Sequence, residues 1–208
     1  MLKKLSFIVV STILLSACSS WSDYIPFIGG SKSVINLEQN KIDQKSYAVA
    51  YQATVQTYTG RVSEDYLVDD FARGANDWLM GRVSLLLEQI RQNLYSEKGV
   101  ETKTFAYYSG VIFAGDLQSN FSRLNVNCWS NIDRASLSQG IYDAMLDLRG
   151  NKVRSENDEY LVKGSEQLLN VCQSEPTKKP TKATKKTSIK NPNQVVKNKN
   201  VSWIGFFE

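Results

Sequence analysis

Apolar residues recur at helical spacing through the middle of this chain. Tyr47, Tyr51, Val55 and Tyr58 fall on one face at intervals of four, four and three, which predicts an amphipathic helix that Asp43 can cap and Gly60 ends. Residues 46–58 are also rich in β-favouring side chains, so a strand is the competing reading there. Ser63, followed by Glu64 and Asp65, is placed to cap a second helix with the stripe Leu67, Phe71, Gly74 and Trp78, because negative charge suits the positive helix end. Gly81 breaks that stripe. Val83, Leu86 or Leu87, Ile90 and Leu94 resume it as a third helix or a bent extension, closed by Lys98-Gly99. A fourth, unusually apolar helix is expected over residues 103–117. Gly110 and Gly115 within it point to close helix packing, since on an exposed face each would cost roughly 1 kcal/mol relative to Ala. Residues 120–131 read as a loop holding Cys128. Leu137, Ile141, Ala144 or Met145, and Leu148 mark a fifth helix that Gly150 stops. Leu161, Ser165, Leu168 and Cys172 mark a sixth, starting near Ser155 or Asp158. The expected fold is all-α: a compact bundle of about five or six helices within residues 43–173.

The pattern also echoes itself. Phe71-Ala-Arg-Gly74-Ala-Asn-Asp77-Trp-Leu79 lines up with Leu137-Ser-Gln-Gly140-Ile-Tyr-Asp143-Ala-Met145, and an aromatic-rich helix precedes each. Either the domain is two related helical hairpins, residues 44–98 and 103–172, or two amphipathic helices agree by chance.

Ahead of this domain stands a leader. Lys3 and Lys4 precede an apolar run from Leu5 to Leu15 and a small-residue exit, the layout of an export signal over residues 1–17. Leu15-Ser16-Ala17-Cys18 is similar to the lipobox of bacterial lipoproteins, matching at all four positions. The resemblance implies cleavage before Cys18 and lipidation of Cys18, which becomes the first residue of the mature chain. Ser19 and Ser20 follow where an Asp would mark inner-membrane retention, so it also implies an outer-membrane anchor, with the periplasmic face as the expected location. A plain secretory leader or a retained span are the alternatives. The span is disfavoured because the 11 residues from Leu5 to Leu15 fall well short of the roughly 20 a helix needs to cross a bilayer. Residues 18–42 then form a tether in which Trp21, Tyr24, Ile25 and Phe27 surround Pro26, ahead of Gly29 and Gly30. These side chains suit docking on the domain or a partner, or contact with lipid headgroups.

That address changes how the cysteines read. With Cys18 taken by lipid, Cys128 and Cys172 remain as a pair in an oxidising compartment, which predicts a disulfide between them. Two buried thiols, or a redox or metal role, are the other readings. Residues 104–172, with Tyr107-Tyr-Ser-Gly110, Asp116, Cys128-Trp129, Gln139 and Cys172, resemble the Tai/Rap family of small helical periplasmic immunity proteins, although Trp129 stands where that family has proline. Residues 43–81 resemble the helical dimerisation segment of some periplasmic prolyl isomerases, with no isomerase domain after it. Both resemblances imply a helical protein that binds another protein, and neither supplies catalytic residues.

Charge is unevenly spread. Residues 19–175 carry 15 Lys or Arg against 20 Asp or Glu, whereas residues 176–208 carry eight Lys and one acid. The overall charge of +4 therefore describes neither part and is no argument for nucleic acid. Residues 174–208 read as a basic flexible arm, too polar to form a core. The arm ends in an aromatic tip. Trp203, Ile204, Phe206 and Phe207, with Lys178, Lys179, Lys182, Lys185 and Lys186, are the candidate partner-binding residues. Anionic lipid, or the domain itself, would also suit them.

The chain contains no His, which excludes Ser-His-Asp and Cys-His catalysis and the usual zinc sites. Asp143 with Asp147, Asp69 and Asp70 near Glu64 and Asp65, and Glu156 with Asp158 and Glu159 are the remaining carboxylate pairs. They would suit a carboxylate-based cell-wall hydrolase only if two of them faced each other across a groove. No cofactor, metal or small-molecule substrate is expected. The sequence thus points to a non-enzymatic, lipid-anchored envelope protein acting by protein–protein contact, an accessory or scaffold component of an envelope assembly. A periplasmic immunity-like inhibitor of a toxin is the alternative.

Overall fold

The computed structural model describes residues 35–96, 99–125 and 128–173. The leader, most of the tether, and the basic arm with its aromatic tip lie outside the described residues, as do Cys18 and the lysines and aromatics proposed for partner binding. Six helices make up the described domain: α1 Gln44–Tyr58, α2 Val68–Leu79, α3 Leu87–Ser96, α4 Thr102–Leu124, α5 Arg134–Arg149 and α6 Glu159–Gln173. No β-strand occurs among the described residues, so residues 46–58 resolve as helix. The competing strand loses because Asp43 caps that run and Tyr47, Ala50 and Tyr51, at helical spacing, are all buried.

Three local expectations are corrected. Ser63 does not cap α2. Its hydroxyl donates to Asp65 instead, and residues 63–66 make a turn that lays Tyr66 against Phe71, ring centroids 6.1 Å apart. The helix begins five residues later at Val68, with Asp69 and Asp70 in its first turn. Likewise α3 starts at Leu87, leaving Val83 outside the helix and Leu86 two-thirds exposed at 67%. The third correction concerns α4, which runs on to Leu124, so residues 120–124 are helix and not loop. Phe121, one turn beyond Leu117, is buried and prolongs the apolar stripe, which explains the extension.

The N-termini of α1 and α5 lock into each other. Asp43-Gln-Lys-Ser46 and Asp133-Arg-Ala-Ser136 are two copies of one capping pattern: each Asp side chain accepts from the backbone N–H three residues on, at 3.1 and 2.7 Å. Each Ser hydroxyl then reaches across. Ser136 Oγ accepts from the Asp43 N–H at 2.8 Å and Ser46 Oγ from the Asp133 N–H at 2.9 Å. Both serines are fully buried, so four orphan backbone donors are satisfied in a dry place where water could not serve. Lys45 also bonds Asp43. Burial alone would raise the Asp43 carboxyl pKa, but hydrogen bonds from Lys45 and Ser46 outweigh it and hold the group below the ordinary carboxylate range.

One core cluster runs from Val49 and Ala53 of α1 through Phe71, Phe113, Leu117, Ile141 and Met145 to Leu168 and Cys172, and a second gathers Tyr47, Ala48, Tyr51, Ala144 and Leu161. The four stripe residues of α6 that the spacing predicts, Leu161, Ser165, Leu168 and Cys172, are all buried. So is the α5 stripe of Leu137, Ile141, Ala144, Met145 and Leu148. Cys128 and Cys172 form the expected disulfide, with Cα atoms 4.6 Å apart, which ties the end of α6 to the segment before α5.

Helix pairing follows a rule the sequence does not display. The extensive contacts among the helices are α1 with α5 and α6, α2 with α4 and α5, and α3 with α4. All of them join residues 44–96 to residues 102–173. At the α2–α4 crossing the backbones touch: an ideal Cβ at Gly74 would sit 1.9 Å from the Tyr107 carbonyl oxygen, and one at Gly110 1.9 Å from that of Phe71. Only glycine permits that approach.

Candidate functional site

The carboxylates singled out as candidate acids and bases converge on tyrosines. Asp143 and Asp147, one turn apart on α5, both face α1 as their spacing predicts. Tyr47 donates to Asp143 at 2.8 Å and Tyr51 to Asp147 at 2.6 Å. Gln139 donates its amide N–H to the other oxygen of Asp143 at 2.8 Å, while its own carbonyl oxygen accepts from the Leu37 N–H at 3.0 Å. The backbone just before α1 is thereby tied to α5. Arg154, on the exposed connection between α5 and α6, completes this cluster. Its guanidinium lies over both tyrosine rings, 5.6 Å from Tyr47 and 5.4 Å from Tyr51, and the Arg154 backbone N–H donates to the Tyr51 hydroxyl at 3.0 Å. Tyr160 meets Tyr47 edge-on at 5.9 Å.

The same device recurs between α4 and α2. Tyr107 donates to Asp77 at 3.1 Å, Arg82 pairs with the second oxygen of Asp77, and Arg73 lies over the Tyr107 ring. Gly140 approaches the Tyr47 backbone as Gly74 approaches that of Tyr107. The two stretches that echo in the sequence therefore make matching contacts: glycine and aspartate of one helix against the tyrosine of another.

Burial raises the phenol pKa of Tyr47, Tyr51 and Tyr107, and the neighbouring aspartate adds to the shift in each case. These hydroxyls are therefore held neutral as donors, and each carboxylate accepts in a fixed direction. Such an arrangement fixes helix register.

The other candidate carboxylates are dispersed. Asp69 accepts from Tyr142 at 2.9 Å, and Asp70 pairs with Arg73. Asp158 caps α6 by accepting from the Tyr160 and Leu161 N–H groups, and Glu159 pairs with Lys163 on the surface. Glu64 and Glu156 are exposed. Among the described residues no group of three or more His, Cys, Asp or Glu could hold a metal ion, and no helix is long and apolar enough to cross a membrane.

Sequence reasoning missed the reciprocal Ser46 and Ser136 bridges and the part played by Arg154. The repeated Asp-x-x-Ser spacing was a signal for the first. Nothing local marks Arg154, which meets tyrosines about a hundred positions away.

The described domain is thus a disulfide-bonded all-α protein whose polar core groups bind helix to helix. The chain belongs to a lipoprotein family: one described as "Uncharacterised lipoprotein" matches residues 40–174. That description agrees with the lipobox resemblance at Leu15-Ser16-Ala17-Cys18. A protein of Haemophilus influenzae, described as an uncharacterised protein, is 54% identical over 177 residues, covering 84% of this chain and 98% of the relative. No solved structure matches.

Proposed function

We propose that this protein is a non-enzymatic, lipid-anchored component of the cell envelope, working by protein–protein contact as an accessory or scaffold piece of an envelope assembly on the periplasmic side of the outer membrane. The observation that carries this reading is the use made of Asp143 and Asp147. The pair best spaced for acid–base chemistry is engaged by the buried tyrosines of α1, a role in packing and not in substrate handling. Membership of a lipoprotein family supports the anchor at Cys18. In this proposal the arm of residues 174–208 is the docking device. Trp203, Ile204, Phe206 and Phe207 insert into a partner while the arm lysines meet acidic groups beside the insertion point.

The test is in-cell crosslinking and pulldown of the full chain, repeated after deletion of residues 176–208. Recovery of the main partner should collapse while the helical domain keeps its circular dichroism and melting behaviour. Unchanged recovery discards the arm as docking device. A second reading, an immunity-like inhibitor, is favoured by the disulfide that closes residues 128–172, in keeping with the resemblance of residues 104–172 to periplasmic immunity proteins. Recovery of a periplasmic toxin that the purified protein inhibits at equimolar ratio would decide for it.

A further inference from the structure

The connection between α5 and α6 carries a basic run, Arg149-Gly-Asn-Lys152-Val-Arg154, with no acid before Glu156. Its course is held at several points. The Gly150 and Lys152 N–H groups donate back to the Leu146 and Asp147 carbonyl oxygens at 2.9 and 2.8 Å. Asn151 takes a left-handed φ of +52°, which Asn adopts more readily than most residues with a Cβ. That turn brings the chain back to α1, where the Arg154 backbone N–H meets the Tyr51 hydroxyl and the guanidinium lies over the Tyr47 and Tyr51 rings. Lys152 and Arg154 are exposed, and Val153 between them is 39% exposed.

The matching cluster between α2 and α4 shows what such a cation meets when the domain supplies its partner. There Arg73 lies over Tyr107 at 5.6 Å and pairs with Asp70, the two side chains only 15% and 14% exposed, and Arg82 pairs with Asp77. Arg154 has no such carboxylate. Among the described residues its guanidinium donates to no acceptor, and Arg149 and Lys152 form no ion pair either. The nearby Asp143 and Asp147 accept from the tyrosine hydroxyls, and the three cations of the connection outnumber them. A guanidinium already laid on two rings loses little freedom on binding, and its planar fork matches a carboxylate at two points.

We propose that Lys152, Val153 and Arg154, backed by Tyr47 and Tyr51, form a docking surface for an acidic segment of a protein partner. One Asp or Glu carboxylate of that segment takes the Arg154 fork, and an apolar side chain beside it meets Val153. Charge complementarity selects this occupant: the surface offers an unengaged fork with two further cations that steer an acidic segment toward it. Arg and Tyr are also the side chains on which binding energy concentrates at interfaces. The surface lies on the helical domain and does not involve residues 174–208, so it stands whether or not the arm docks.

The test is photo-crosslinking in cells with the full lipid-anchored chain, a benzophenone amino acid standing in place of Val153, and mass spectrometry to map the adduct. The expected adduct lies on one protein, in a segment containing Asp or Glu. Arg154→Gln keeps the backbone N–H that Tyr51 accepts, so the melting temperature should hold while the adduct falls by about tenfold or more. Arg154→Lys keeps the charge without the fork and should give a smaller loss. Arg154→Glu should abolish the adduct, and exchanging the partner's mapped acid for Arg should restore it. The adduct should also persist in the chain lacking residues 176–208; its disappearance there would mean that the arm selects the partner, and would overturn the proposal. So would an adduct formed only with lipid, an adduct indifferent to Arg154→Gln, a failed charge exchange, or no adduct at all.

Discussion

Replacing Gly110 by alanine sets two effects of known sign against each other. Inside a helix the substitution favours folding by about 1 kcal/mol through backbone propensity. At this position the new Cβ would lie 1.9 Å from the Phe71 carbonyl oxygen, 2.8 Å from its carbon and 3.0 Å from the Ala75 nitrogen. A tolerable carbon–oxygen contact is about 3.3 Å, so α2 and α4 must part by roughly 1.4 Å. The obstructing atoms are backbone and cannot swing aside. Phe71, Val111 and Ala75 around the crossing are fully buried, and a gap of even 1 Å forfeits up to about half of a contact's attraction. Overpacking of this kind costs about 3 kcal/mol or more, which leaves a net loss of about 2–3 kcal/mol after the propensity gain. Gly115→Ala is the internal control. Its Cβ would meet the two Leu87 methyls at 2.8 and 2.9 Å; these can rotate away, so the net change should stay within about 0.5 kcal/mol of zero. Urea denaturation followed by far-ultraviolet circular dichroism reads both variants, with an unchanged slope certifying the comparison. A Gly110→Ala protein as stable as the parent, or a Gly115→Ala protein the weaker of the two, would refute the reasoning.

Further outcomes follow from the same contacts. Replacing both Cys128 and Cys172 by serine frees a loop of sequence separation 44 and should lower stability by about 4 kcal/mol on the chain-entropy treatment; a loss under about 1 kcal/mol in urea melts would show that the bond constrains little. Tyr51→Phe leaves Asp147 without its donor and should cost about 2 kcal/mol, and a double-mutant cycle with Asp147→Asn should recover most of that as coupling. Independent, additive effects would deny the pair its role. Ser46→Ala leaves the Asp133 N–H unpaired in a dry site and should cost about 2 kcal/mol, whereas a neutral change would mean that water replaces the hydroxyl. Alkali should weaken the fold. The phenols of Tyr47, Tyr51 and Tyr107 are raised by burial and by adjacent carboxylates, and burial pushes Tyr66 up to about 12 from its ordinary 10.0. Folding favours the protonated form, so this stability is whole below about pH 10 and drains away as pH climbs past it. Melting curves that stay level up to about pH 12 would contradict the assignment.

The local half of this structure can be read directly from the residues. Asp43 announces α1, and Gly60, with its φ of +75°, ends the helix. The stripes of α5 and α6 name their buried faces, and the lipobox-like stretch, by leaving two cysteines to pair, led to the disulfide. These are legible because helix caps and periodicity act over a few residues, and because redox compartment follows from address. Local signals also misled where a tertiary demand outweighed them. Ser63 has the chemistry of a cap, yet its segment is spent on turning Tyr66 onto Phe71, and α4 continues past Leu117 because Phe121 has a core to enter. Which helix faces which emerges from packing between distant segments. Gly74 and Gly110 mark a close approach without saying to what, and Asp143 reads equally well as a catalytic acid or a solvated surface group until Tyr47 lies 2.8 Å away. The reason is range: a periodic stripe records that a face is buried, while its partner is chosen by shape and hydrogen bonding between residues 30 to 100 positions apart.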